Sequence, residues 1–360
     1  MLVDQACVKS RISKGETIRR ILLKEDLLDL KLKIKQEGGF LHIPTHPLPG
    51  SVEIRLQEQF EVLFETCKFD QARQQPKTIL EYLEEKFPGE DFSNIPQGFD
   101  RIGDIVVVEI KEPLQFFEKE IGAAILEGTP SITAVYAKDG KIQGTYRLQQ
   151  LRCIAGQEKL RTIHQEYGVQ LSVEIGKVYF SPRLAQEHHR IATLVNPNEC
   201  ILDMFTGIGP FPIHIAKRVQ GTIYAIDINP KAIACLKDSM TLNKLLGKIV
   251  PLQGDTRIIT KKSLQGICDR ILMNLPGSAD KYIPTAVSAL KPSGGIIHFY
   301  TFEREPTIED KAQKLLSEKV KETGAAIHKI NSHPIKDIAP NMTQMVVDAF
   351  IRPKDYSRPK

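Results

Sequence analysis

Apolar and polar positions change rhythm several times along the chain, and each change marks an element. Residues 14–35 are basic and carry Ile18, Ile21, Leu22, Leu27 and Leu28 at near-helical spacing; a turn-rich stretch at 45–50 follows. These first 70 residues read as a small α/β module. The mostly polar run 71–76 reads as a linker, and 78–87 as a short helix stopped by Pro88 and Gly89. Next come an apolar strand at 105–110, a helix around 113–125, and strands at 131–137 and 142–148 flanking Asp139-Gly140, a hairpin-type turn. A strand pair near Gln170 and Val178 leads to Ser181-Pro182 and a helix carrying Glu187 to Ile191. From there strand and helix alternate to about residue 350, the signature of a doubly wound α/β sheet. Domains are expected at 1–70, 71–175 and 176–360.

Within the alternating region, Ile201-Leu-Asp-Met-Phe-Thr-Gly-Ile-Gly209 reads as a buried strand running into a small-residue turn with a helix behind it. Asp203 places a carboxylate at the strand end, and Gly207 and Gly209 let the backbone pass close to a ligand. The third glycine of a dinucleotide fingerprint and the lysine of a phosphate loop are both missing. A second apolar strand ends in Asp227, about twenty residues beyond the glycines, where a carboxylate reaches ribose hydroxyls. A third delivers Asp255 on the adenine side, and a fourth ends in Asn274-Leu275-Pro276. Open α/β sheets bind ligands outside such strand ends.

Composition narrows the class. The 360 residues exceed what one core organises, and 41% hydrophobic content is ample for burial, so a multidomain enzyme is expected. No apolar run long enough to span a membrane and no secretory signal are apparent, so a cytoplasmic protein is expected. The six cysteines are dispersed without a C-x-x-C pair, which argues against zinc and against a disulfide framework, and most read as buried small hydrophobes. A net charge of +5 is only mildly basic, so clustering matters more than the total. Lys9, Arg11, Lys14, Arg19, Arg20 and Lys24 form one cluster; Arg147, Arg152, Lys159 and Arg161 form another. Either is a nucleic-acid contact or an ordinary solvated face.

The strand-end pattern resembles S-adenosylmethionine-dependent methyltransferases. The segments Lys177 to Leu184, Glu187-His188, Phe99 to Val107, Tyr146-Arg147, Ile154 to Gly156, Thr162 to His164, Asn274-Leu-Pro276 and Asp337 to Pro340 resemble the archaeal and eukaryotic tRNA (guanine-37-N1)-methyltransferases. The resemblance covers roughly residues 95–350; the first 70 match loosely. It implies a Rossmann-type methyltransferase domain preceded by two smaller α/β (α+β) domains, with S-adenosylmethionine as donor and tRNA as substrate. A monomer without metal is expected. Cofactor-binding positions would be His188, Asp203, Phe205, Gly207, Asp227, Ile228, Asp255, Thr256 and Asn274. Many amino-methylating relatives carry Asn-Pro-Pro-Tyr at the fourth strand; here Gly277 follows Pro276.

Guanine N1 carries a proton and is a poor nucleophile, so its methylation benefits from a base that removes the proton and a cation beside O6. The resemblance gives those roles to Glu187 and Arg147, with Asn274 orienting the base and Pro276 shaping the pocket. Desolvation in a closed site would make such a carboxylate a better base. Arg152 is the rival for O6, and Tyr179 and Phe180 either line the cofactor edge or pack. The target guanosine must leave its stack to enter the pocket. Two alternatives remain: an aminocarboxypropyl transferase of wyosine synthesis, and a noncatalytic RNA-binding protein.

Overall fold

The computed structural model describes residues 2–71, 78–96, 98–140, 144 and 146–354. Contacts divide the chain into two units, Met1–Pro76 and Lys77–Lys360. In the first, β1 (Leu2–Arg11) is the central strand, with β3 (Phe40–Pro44) on one side and β4 (Leu63–Asp70) on the other, both antiparallel. The short β2 (Lys35–Glu37) extends the sheet beyond β3. Successive strand side chains point to opposite faces. Val8 and Ile43 therefore meet the buried residues Ile18 and Leu22 of α1 (Ile12–Lys24) and Val52 and Leu56 of α2 (Gly50–Gln59). The helical rhythm expected across residues 14–35 ends at Lys24. Leu28 lies beyond the helix and bridges to Thr45.

In the second unit α3 (Ile79–Lys86) starts from Thr78, whose hydroxyl accepts the Glu81 N–H while the Glu81 carboxylate accepts the Thr78 N–H, a reciprocal cap that explains the sharp start. A four-stranded sheet follows in the order β5 (Asp100–Ile102), β6 (Ile105–Val108), β7 (Ala134–Lys138), β8 (Leu151–Gly156). The antiparallel partner of β7 is therefore β8 rather than a strand at 142–148. Of that expected strand, residues 142, 143 and 145 lie outside the described residues, and Tyr146 and Arg147 occupy a turn. Val106, Val108, Val135 and Ala137 pack with Ile121 and Ile125 of α4 (Glu118–Gly128). Their neighbours Ile105, Val107, Ala134 and Tyr136 point the other way and join the core of the next sheet. One sheet thus feeds two cores, and residues 77–360 form a single unit by their contacts.

A hairpin of β9 (Arg161–Glu166) and β10 (Val169–Glu174) replaces the pair expected near Gln170 and Val178. After α5 (Ala185–Leu194) come β11 (Glu199–Asp203), α6 (Pro210–Arg218), β12 (Gly221–Asp227), α7 (Pro230–Leu242), β13 (Lys248–Gln253), α8 (Thr256–Ser263) and β14 (Arg270–Met273). Then follow α9 (Ile283–Ala289), β15 (Gly295–Arg304), α10 (Ile308–Glu322), β16 (Ala326–Ala339) and β17 (Met342–Arg352). Their sheet runs β13-β12-β11-β14-β15-β17-β16. The chain moves outward from β11 to β13 and then crosses to β14 on the other side, opening a ligand crevice between β11 and β14. Pairs from β13 to β15 are parallel; β17 pairs antiparallel with β15 and β16, so the alternation of strand and helix ends in a hairpin. Among the described residues no helix is long and apolar enough to cross a membrane.

Candidate active site

The turn after β11 depends on its glycines. Gly207 and Gly209 have φ of 56° and 81°, and a Cβ on Gly209 would lie 2.2 Å from Leu236 Cδ1 of α7. The Gly207 N–H donates to Asp227 Oδ2 at 2.8 Å, and the Asn229 N–H to Asp227 Oδ1 at 2.8 Å, so one carboxylate ties the turn to the end of β12. Burial pushes the Asp227 carboxyl up, opposed by those backbone donors.

Asp203 lies fully buried beneath the turn and accepts the Phe205 N–H at 3.3 Å. Burial, with Asp227 nearby, pushes its carboxyl up from 3.8 to about 7. A carboxyl that ionises later in the folded chain than in the unfolded one costs stability as pH rises from about 4 to about 7. The thermal midpoint of Asp203→Asn relative to the parent should therefore climb across that range and level off above it. Thermal melts showing a gap that stays flat or narrows with pH would rule this out.

A cavity of about 230 Å³ opens at the strand ends. Of the expected residues it is lined by Arg147, Phe205, Gly207, Asp227, Ile228, Asp255, Thr256, Asn274 and Pro276. Asn274 Oδ1 accepts from Gln344 Nε2 at 3.4 Å, and Arg147 Nη1 donates to the Pro276 carbonyl at 3.4 Å. The Arg147 guanidinium stands 5.8 Å from the centre of the Tyr179 ring. Asp255 caps α8 by accepting the Arg257 N–H, and the Arg257 guanidinium on its carboxylate holds it below the usual range. Arg257 in turn lies 5.2 Å from the Tyr282 ring centre.

The donor set fits a nucleoside carrying hydroxyls, an amino group and a cationic arm. Asp227 and Asp255 supply acceptors, Gly207 leaves backbone room, and the buried Thr256 Oγ1 has no hydrogen-bond partner among the described residues.

Three expected residues are absent from the cavity lining. Asp203 sits under the turn. His188 is buried, with Nδ1 2.7 Å from Glu166 Oε1, the same oxygen that lies 2.9 Å from His214 Nε2. Its ring is thus committed to a buried carboxylate rather than to the cavity. Burial opposes charge on Glu166, yet the imidazoles of His164, His188 and His214 hold its carboxyl well below the usual range.

Glu187 is also buried. It accepts from Arg190 Nε at 2.6 Å, Arg190 Nη2 at 2.8 Å and the Tyr300 hydroxyl at 2.7 Å. Arg190 continues to Asp348, and Asp348 to His298, so Glu187 ends a chain of polar side chains that runs from its buried carboxylate through half-buried Arg190 and Asp348. His189 is half-buried and stacks 4.4 Å from the Tyr167 ring.

Other participants escaped the sequence reading. Gln344 reaches Asn274 from antiparallel β17, and no local signal announces it. Arg190 lies one helical turn from Glu187, a spacing that does signal a pair.

Most members of the two basic clusters are already paired: Lys9 with Glu65, Arg11 with Glu61, Arg19 and Arg20 with Glu16, Arg152 with Glu118, Lys159 with Asp104, and Arg161 with Asp238. Arg147 has no carboxylate partner among the described residues.

Strand order, glycine turn and strand-end carboxylates define a Rossmann-type S-adenosylmethionine-dependent methyltransferase. Three family models match: the TRM5/TYW2 methyltransferase domain at residues 162–328, the TYW2 N-terminal domain at 79–159 and the tRNA methyltransferase 5 N-terminal domain at 7–50. The chain belongs to the archaeal and eukaryotic Trm5 family. The tRNA (guanine(37)-N(1))-methyltransferase Trm5b of Pyrococcus abyssi is 37% identical over 342 residues, covering 95% of this chain and 97% of that protein. The solved complex of aTrm5 with tRNALeu is 32% identical, with a TM-score of 0.74 over 96% of this chain and 99% of that one. Methanocaldococcus jannaschii Trm5 in complex with adenosine is 32% identical, with a TM-score of 0.62 over 97% of this chain and 100% of that one.

Proposed function

We propose that this protein methylates N1 of the guanosine at position 37 of tRNA, acting as a cytoplasmic monomer. The observation that carries the reading is the single cavity where Arg147, Asn274 and Pro276 share walls with the Asp227 and Asp255 loops. Its support is the near full-length similarity to the Pyrococcus enzyme of that activity. S-adenosylmethionine, when bound, supplies a methyl group on a sulfonium leaving group. The chain's own residues then have three tasks: to hold the flipped base, to neutralise charge on O6, and to accept the N1 proton.

Arg147 suits the second task. Its guanidinium lines the cavity and has no competing carboxylate, whereas Arg152 is held by Glu118. Asn274 is tethered through its carbonyl by Gln344, and its amide nitrogen, without a partner among the described residues, is available to orient the base. The proton is assigned to Glu187, which requires its carboxylate to exchange Arg190 for the cavity when RNA is bound. The first unit is assigned to recognition of tRNA outside the anticodon, supported by the match of residues 7–50 to a Trm5 N-terminal domain.

The test is incubation of unmodified tRNA transcripts with the protein and methyl-labelled donor, followed by nucleoside analysis. Labelled 1-methylguanosine from the anticodon loop is expected. Recovery of an aminocarboxypropyl nucleoside, or label only at other positions, would overturn the reading. A Gly209→Val variant should lose donor binding and stability together, because a branched side chain at positive φ collides with Leu236. Normal donor affinity measured by calorimetry on this variant would contradict that.

A further inference from the structure

The face of the N-terminal sheet turned away from α1 and α2 gathers an unusual set of side chains. Cys7 lies on β1, His42 on β3, and Glu65 and Cys67 on β4. Three are adjacent in sequence to a residue of the helix-covered face: Val8 follows Cys7, Ile43 follows His42 and Phe64 precedes Glu65, while Cys67 stands two residues beyond Glu65 on the same strand. Strand alternation therefore sends all four to the opposite side. One ligand atom from each lies within 4.8 Å of every other. His42 Nδ1 is 3.3 Å from Cys67 Sγ and 2.8 Å from Glu65 Oε1, and Cys67 Sγ is 3.4 Å from Glu65 Oε1.

We propose that Cys7, His42, Glu65 and Cys67 form a zinc site that staples β1, β3 and β4 of the N-terminal unit. Two thiolates, an imidazole and a carboxylate are donors that Zn²⁺ takes in tetrahedral geometry, where metal–ligand lengths of about 2.0–2.3 Å place neighbouring ligand atoms roughly 3.3–3.7 Å apart. The Cys67 sulfur distances already match, Cys7 lies within 4.8 Å of the other ligand atoms, and the imidazole–carboxylate pair needs to open by only about half an ångström. Such a site carries one net negative charge, and Lys9 Nζ stands 3.7 Å from Glu65 Oε2 to offset it.

The unit has reason to need a staple. It spans 76 residues, in the size range where one core is marginal. Its main cluster lies under the helices, while the second face offers the small cluster of Cys7, Leu32 and Phe69.

A disulfide is the poorer use of these cysteines. In register Cys7 faces Glu65 and Gln5 faces Cys67, so the two thiols are diagonal neighbours rather than opposite ones. Diagonal positions separate Cβ atoms beyond the roughly 3.8 Å a disulfide requires. A second cluster, Glu166 with His188 and His214, lacks sulfur and is already joined by hydrogen bonds. A cross-strand site also leaves no C-x-x-C spacing, so the dispersal of cysteines along the chain hides it.

The test uses the full-length protein expressed with zinc and dialysed before elemental analysis. About one zinc per chain is expected in the parent and in Cys153→Ser, with loss of most of it in Cys7→Ser and in Cys67→Ser. Cobalt substitution of the parent protein provides a readout that does not depend on the variants folding: tetrahedral d–d bands with thiolate-to-cobalt charge transfer. Absence of zinc from the parent, its retention in both serine variants, a cobalt spectrum without the thiolate band, or a Cys7–Cys67 disulfide in protein grown with zinc would each overturn the proposal.

Discussion

Glu187→Gln is expected to slow single-turnover methylation of tRNA by about 10²–10⁴-fold, the range lost with a general base, while leaving donor affinity nearly intact. Glutamine keeps the shape of the side chain and its acceptor for the Tyr300 hydroxyl, but has no charge for Arg190. Arg190 retains Asp348, so the loss is smaller than that of an isolated buried pair. Two roles predict different behaviour. If Glu187 accepts the N1 proton, the pH–rate profile of the variant departs from that of the parent while its fold is kept. If Glu187 only positions Arg190, both enzymes keep the same pH profile and the variant shows a lowered melting temperature instead. An unchanged profile would withdraw the proton-accepting role and leave the methylation reading standing.

Arg147→Ala should reduce the same rate by about 10²–10³-fold, as expected for removal of one preorganised donor from a developing anion. Arg147→Lys should recover a part, since an ammonium keeps the charge but not the planar fork. Arg152→Ala is the matched control, because its guanidinium is engaged by Glu118 and does not line the cavity. Rates measured with saturating donor and tRNA separate this from weakened binding. Equal losses at Arg147 and Arg152 would remove the O6 assignment.

The strand ends that line the cavity were legible because buried parallel strands read as short apolar runs, here ending in Asp227, Asp255 and Asn274. The Gly207 and Gly209 turn was legible for a local reason, the backbone conformation each must adopt. What failed was mostly long-range. The partner of β7 lies at 151–156, beyond a turn with ordinary hairpin chemistry, and nothing in the alternation of residues 142–148 distinguishes it from a strand. Gln344 reaches the cavity from an antiparallel strand some seventy residues after Asn274, a pairing set by sheet order. Resemblance carried His188 to the cofactor, but its environment is decided by Glu166 and His214 on other elements. Resemblance put Glu187 forward without its Arg190 clamp, although the spacing of three was there to be read.

The sheet of β5 to β8 is glued on both sides, with Val106 and Val135 turned to one hydrophobic mass and Ile105 and Ala134 to the other. A hinge needs a seam where packing can slide, and this layer has none, so the wall that bears Tyr136 and its neighbours is fixed to the donor-holding half. The layer that precedes Arg147 is therefore anchored to the core of the β11–β17 sheet. Under the proposed methylation the RNA bears the cost of unstacking, and a loop already frayed or mispaired beside its anticodon is expected to be methylated faster than a well-ordered one.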